Sequence, residues 1–155
     1  MAARLRILAV GTRMPAWVQQ GFEEYRKRLP RECALELREI AHVRRGADTA
    51  RAVAEEGSAL LAALAGDEYV VALEVGGKAL DTGSVARSLG GWRDEARRAA
   101  FLIGGPDGLS AECRARADAQ WSLSKLTLPH PLVRIVLAEQ LYRAWSLLAG
   151  HPYHR

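Results

Sequence analysis

At 155 residues the chain is long enough for one domain with its own core, and 49% hydrophobic against 26% charged residues is ordinary for a soluble globular protein, which excludes the disordered and fibrous classes. A net charge of +4, from 22 basic and 18 acidic side chains, tolerates a polyanionic partner without establishing one. Cys33 and Cys113 form no CxxC pair, the apolar run Ile7 to Val10 is too short for a signal-peptide core, and no stretch approaches a membrane span, so a reducing cytoplasm is the expected compartment.

Arg4 to Val10 reads as a strand ending at Gly11. Pro15, a good first-turn residue, opens a helix that runs to Leu29 and stops near Pro30. Ala34 to Ala41 sets Leu35, Leu37 and Ile40 among charged neighbours and predicts a second strand, followed by a loop at Arg44-Arg45-Gly46. The alanine-rich stretch from Ala47 to Ala65 puts Val53, Leu60, Leu61 and Leu64 on one helical face. Tyr69 to Val75 predicts a strand closed by Gly76-Gly77, and Thr82 or Ser84 can cap a helix to about Arg97 that Gly90-Gly91 weakens. A strand from Ala99 to Ile103, a short helix from Ser110 to Ala117, a short strand from Gln120 to Leu123 and a long helix from Pro131 to Ala149 complete the chain. Strands alternating with helices predict a single α/β domain over residues 1–155, with a parallel sheet and helices on both faces.

The most informative stretch is Phe101-Leu-Ile-Gly-Gly-Pro-Asp-Gly-Leu-Ser110. Gly104, Gly105 and Gly108 end a strand abruptly and let backbone approach a ligand with no side chain between them. Ser110 can cap the next helix, with Glu112 in its first turn. Strand, glycine turn and helix N-terminus make ligand sites at the carboxyl edge of α/β sheets, although this is neither GxGxxG nor a Walker loop. Two more loops, Leu73 to Lys78 and Leu123 to Leu128, follow predicted strands and should leave the same edge. Any one of the three alone is a plain strand-to-helix connection; together they point to a cofactor pocket. Leucine-rich walls around Ser124 and Thr127, with backbone N–H and C=O groups, suit adenine. His151 and His154 lack further ligands at sensible spacing, so no metal is expected.

The helix from Pro131 to Ala149 is apolar nearly all round and has to be covered. Glu139, Arg143 and Ser146 share one stripe on it. They form either an intrahelical ion pair worth about 0.2–0.5 kcal/mol or the lining of a site or subunit interface. His130, between Pro129 and Pro131, is rigidly placed beside the third loop, as a helix-entry cap or a site residue. The tail, His151-Pro-Tyr-His-Arg155, should fray as termini do. It is nonetheless suited to RNA, because Tyr153 can stack on a base while His154 and Arg155 meet phosphate or uracil carbonyls. Arg13, Arg44 and Arg45 serve equally well as phosphate contacts or as a solvated cluster.

Several segments occur together and in order: Val10-Gly-Thr-Arg-Met-Pro-Ala-Trp-Val18, the glycine turn, Trp121-Ser-Leu-Ser-Lys-Leu-Thr-Leu-Pro-His-Pro-Leu-Val-Arg-Ile135, the long helix and the tail. Over its whole length the chain resembles the ribosomal RNA large subunit methyltransferase H family of small SPOUT methyltransferases. The resemblance implies a C-terminal trefoil knot formed by residues from about 70 to 149. It implies S-adenosylmethionine as cofactor, held by Leu73, Gly104, Gly105, Leu123, Ser124, Lys125, Leu126, Thr127 and Leu128. Gly105→Val would then put a branched side chain where the cofactor lies. It also implies a homodimer through the long helix, with a site at the interface that draws on His130, Glu139, Arg143, Tyr153, His154 and Arg155. The activity implied is methylation of N3 of a pseudouridine in bacterial 23S rRNA. With no appended RNA-binding domain, the expected substrate is an assembled ribosomal particle. A base such as His130 or His154, or an arginine that stabilises the deprotonated imide, would assist loss of the N3 proton. Two other classes stand beside this one. A nucleotide-binding α/β enzyme would use the glycine turn for phosphate, and a non-catalytic RNA-binding or ribosome-associated module would leave that turn unexplained. Preference for S-adenosylmethionine over ATP separates the three.

Overall fold

The computed structural model describes residues 3–44, 46 and 48–154. Strands and helices alternate: β1 Arg4–Val10, α1 Ala16–Arg26, β2 Leu35–Ile40, α2 Thr49–Ala62, β3 Tyr69–Ala79, α3 Thr82–Asp94, β4 Arg98–Ile103, α4 Ala111–Arg116, β5 Ala119–Ser122 and α5 His130–Ala149. Short 3-10 turns occupy Arg31–Cys33 and Pro152–His154. The strands form one sheet in the order β2-β1-β4-β3-β5, and every pairing is parallel. The expected α/β class, a parallel sheet with helices on both faces, is what the chain adopts.

Period-two alternation builds the two cores. Leu5, Ile7 and Ala9 of β1 pack with Phe22 of α1, Leu89 of α3 and Leu137 and Leu141 of α5. Leu8 and Val10 point the other way, toward Leu60 of α2 and Leu109 and Cys113 at α4. Central β4 is buried on both faces from Ala99 to Ile103, which is why it reads as an unbroken apolar run. Trp92, Phe101 and Trp121 meet with ring centroids 5.7 to 5.9 Å apart beneath α3.

Several local expectations are corrected. The first helix is shorter than its flanking prolines, Pro15 and Pro30, suggested, ending at Arg26. Asp81, not Thr82 or Ser84, caps α3 by accepting the Ser84 N–H at 2.7 Å, and Gly90-Gly91 lies inside that helix without breaking it. β3 does not close at Gly76-Gly77: Leu73 and Lys78 both lie opposite Trp121 of β5, so residues 74–77 step out of the ladder and the strand resumes to Ala79. Gly77 permits this, because a Cβ there would stand 2.7 Å from the Trp121 carbonyl carbon. Arg45 lies outside the described residues.

Helix α5 is only partly covered. Leu137, Ala138, Leu141 and Ala144 are fully buried. Leu132 and Val136, on another stripe, are half-buried without joining either core, and Leu147 is 38% exposed.

One ion pair has a stability consequence. Arg6 emerges from β1 between the helices of the second face, and its guanidinium donates to both carboxylate oxygens of Glu68, at 2.9 and 2.5 Å. Burial pushes the Glu68 carboxyl up, but the Arg6 hydrogen bond, the Ala65 N–H and the charges of Arg6 and Arg98 outweigh it and hold it below its ordinary value of 4.5. The folded state therefore binds this proton less readily than the unfolded chain. Its contribution is complete above pH 4.5 and is lost as pH falls through the folded value. Glu68→Gln should flatten the loss of melting temperature on acidification; an unchanged acid slope would refute this.

Candidate active site

All five carboxyl strand ends lie on one edge of the sheet, and a cavity of about 660 Å³ opens there between the ends of β3, β4 and β5 and the first turn of α5. Of the residues expected to bind cofactor, Leu73, Gly104, Gly105, Leu123, Ser124, Leu126, Thr127 and Leu128 line it; Lys125 does not and points to solvent. His130 lines the same cavity from the N-terminus of α5.

The glycine turn is closed by its own backbone. The Gly108 N–H donates to the Gly105 carbonyl at 3.0 Å, and Gly108 adopts φ +81°. A Cβ on Gly104 would stand 2.5 Å from the Gly108 carbonyl carbon, so no side chain fits. Gly104→Ala should therefore cost about 1–3 kcal/mol through overpacking and weaken ligand binding at the cavity as the turn shifts. Denaturant unfolding with calorimetry checks this, and wild-type values in both would refute it. Gly105 is different. A Cβ there would approach Val10, His42 and Glu56, none of which lines the cavity, so Gly105→Val would disturb packing and not occupy the ligand's place. Gly105 faces the cavity with backbone.

The third loop is held by its serines. Ser122 Oγ donates to the Ser124 carbonyl at 2.8 Å, and the Leu126 N–H donates to Ser124 Oγ at 2.9 Å. Leucines thus form the wall while the backbone is fixed in an ST-turn. Glu74 also lines the cavity and pairs with Arg114 of α4 at 3.3 Å. Sequence reasoning missed it, although its place one residue after Leu73, at the end of a strand, was the available signal.

The remaining expected site residues form a separate group. Arg143 pairs with Glu139 at 2.6 Å, Tyr153 donates its phenol proton to the same Glu139 oxygen at 2.8 Å, and the Arg143 guanidinium lies 5.0 Å from the Tyr153 ring centre. Ser146 turns inward and donates to the Arg143 carbonyl, so it leaves the polar stripe. Burial, then the bond to Glu139 and its charge, push the Tyr153 phenol up to about 12, so it stays a donor at neutral pH. The tail does not fray as expected. Gly150, at φ +69°, ends α5 in the left-handed region and turns the chain back, so that Tyr153 packs on Tyr142 with centroids 4.5 Å apart. His154 is half-buried with an unpartnered Nδ1; Arg155 lies outside the described residues. Nine residues of helix, roughly 13 Å of axis, separate His130 from Glu139, so one chain does not bring all the expected site residues together.

Residues 3–154 match the family described as Predicted SPOUT methyltransferase. The chain belongs to the SPOUT methyltransferase family. Relatives named Ribosomal RNA large subunit methyltransferase H support this: the protein of Methylococcus capsulatus is 56% identical and that of Alkalilimnicola ehrlichii 59%, each over 98% of this chain and 99% of its own. A structure described as a probable methylase family protein from Haemophilus influenzae shares the fold with a TM-score of 0.59 at 10% identity, covering 97% of this chain and 70% of its own.

SPOUT methyltransferases use S-adenosylmethionine, and the cavity of this family member fits it. The volume lies within the range of small-molecule sites. The apolar walls suit adenine and the backbone of two tight turns offers hydrogen bonds to its edge. Glu74 adds one carboxylate to the lining. Among the described residues no group of His, Cys, Asp and Glu could hold a metal ion, and no helix is long and apolar enough to cross a membrane.

Proposed function

We propose that the chain is a cytoplasmic, S-adenosylmethionine-dependent rRNA methyltransferase that methylates N3 of a pseudouridine in 23S rRNA on the assembled ribosomal particle. The observation that carries this reading is the cavity built jointly by the ends of β3, β4 and β5, with apolar walls and the glycine turn in its lining. The names of the relatives at 56 and 59% identity supply the nucleic-acid class. The reading takes residues 1–155 as a single domain, with the C-terminal half threaded as the family's trefoil knot.

The cofactor, when bound, supplies a methyl carbon made electrophilic by the sulfonium sulfur. Leu73, Leu123, Leu126 and Leu128 would hold its adenine by apolar contact, with the backbone of Gly104, Gly105, Ser124 and Thr127 reading the base edge and Lys125 at the rim. The chain's own contribution is mainly to position the acceptor nitrogen in line and to exclude water. Glu139, Arg143, Tyr153, His154 and Arg155 would bind RNA: the guanidinium meets phosphate and the phenol ring offers a stacking face.

The tail of one protomer would meet the cavity of another, which joins the two groups that a single chain leaves apart. The uncovered stripe Leu132, Val136 and Leu147 on α5 supports such a homodimer. Light scattering at micromolar concentration should then report about twice 17.0 kDa, and an active monomer would refute the shared site. Mass spectrometry of rRNA from a deletion strain tests the function: one missing methyl group on a pseudouridine is expected, and an unchanged rRNA would overturn it.

A further inference from the structure

His130 stands between two parts of the sheet edge. On one side it lines the cavity. On the other it lies against the turn after β1, where a Cβ on Gly11 would be 3.3 Å from its Cε1. Its Nδ1 is buried without a hydrogen-bond partner. One helical turn further along α5, Arg134 is 1% exposed, the largest fully buried side chain in the protein's described part. Its guanidinium donates to Glu39 Oε2 at 2.6 Å and to the Gly11 carbonyl at 2.8 Å. This pins the end of β2 and the turn after β1 against the first turns of α5, and so fixes where the imidazole sits.

The surroundings of the imidazole bear on its charge. The groups that face it are Arg134 from α5, His42 from the segment after β2 and Glu56 from α2. Burial, then the guanidinium and His42, hold His130 below its ordinary 6.5, with Glu56 opposing. A neutral imidazole keeps one nitrogen lone pair free at pH 7.

An acceptor that reaches His130 on the side away from the cavity meets the turns that follow β1 and β2. Arg13 and Arg44 stand exposed on those turns, without ion-pair partners among the described residues. Arg13 is held at φ +55°, a left-handed conformation uncommon for a residue with a side chain. The approach is therefore cationic, as a phosphate backbone requires.

We propose that His130 accepts the proton of the acceptor nitrogen, and that Arg134 is the positioning residue that places its imidazole between cofactor and acceptor. The proposal rests on the methyltransferase reading above. In the step, an imidazole nitrogen takes the N–H proton. The electron pair left on the acceptor nitrogen forms the bond to the methyl carbon as the carbon–sulfur bond breaks, and that pair stays on sulfur. The proton leaves His130 for solvent, encouraged by the neighbouring guanidinium.

The test compares two midpoints. In the cofactor-free protein, the His130 ring signal followed by NMR should titrate below pH 6.5, and Arg134→Gln should move it upward while Arg134→Lys leaves it low. With unmethylated ribosomes as substrate, the acid limb of log kcat/KM should share the wild-type His130 midpoint and follow it in Arg134→Gln. His130→Asn should lower kcat by about 10²–10⁴-fold and abolish that limb, while S-adenosylmethionine still binds by calorimetry. Should Arg134→Gln fail to fold, coincidence of the two wild-type midpoints decides the matter. A wild type that methylates with an acid limb displaced from the His130 midpoint overturns the proposal alone. One that binds cofactor and methylates no rRNA overturns the functional reading with it.

Discussion

Arg134→Ala should lower the stability of the folded protein by about 3 kcal/mol, at the lower end of the range for breaking a buried ion pair. The guanidinium is 1% exposed and makes a 2.6 Å contact with Glu39, a 2.8 Å bond to the Gly11 carbonyl and a weaker one to Val10 at 3.4 Å. Removing it empties a large buried volume and strips both carbonyls of their donor. The lower end applies because Glu39 keeps a third of its side chain in water and can recover hydration. Arg134→Met, which retains most of the stem, should cost less than Arg134→Ala. Denaturant unfolding measures both, and a loss under about 1 kcal/mol for the alanine variant would mean that Arg134 clamps nothing.

The residue shows where sequence reading stops. Periodicity marked α5 as apolar and placed Arg134 among leucines and valines, but a lone arginine on a helix carries no sign of where its guanidinium ends. Its acceptors lie on β1 and β2, 95 and more residues away. The sheet itself was legible, because apolar residues set among charged neighbours in β2 and the apolar run of β4 are local signals. So was the Ser110 cap, whose hydroxyl accepts the Cys113 N–H at 3.2 Å. The bulge in β3 was not, since two glycines read equally well as a strand end or as a place where β5 passes close. The cavity was legible as three loops, but only the folded backbone turns the Gly105 Cβ away from it. The family resemblance takes Lys125 with its neighbours, and the ST-turn at Ser124 leaves it facing outward.

Deletion of residues 151–155 should abolish methylation of ribosomes while S-adenosylmethionine affinity stays close to wild type. Among the described residues the tail contributes nothing to the lining of the cavity, so cofactor binding in one chain has no reason to depend on them. The deletion does remove the Tyr153 bond to Glu139 and the rings tilted against Tyr142. A modest fall in melting temperature should accompany the loss, because those contacts are half-exposed. A point substitution separates packing from RNA binding. Tyr153→Phe keeps the ring on Tyr142 and beneath the Arg143 guanidinium but removes one hydrogen bond from a Glu139 oxygen that Arg143 still occupies. It should change stability by about 1 kcal/mol, as expected for one hydrogen bond, and leave much of the activity if stacking is what the RNA uses. Tyr153→Ala should lose both. Full activity in the truncated protein would reduce the tail to a structural latch on α5, and lost cofactor affinity would place it in the pocket.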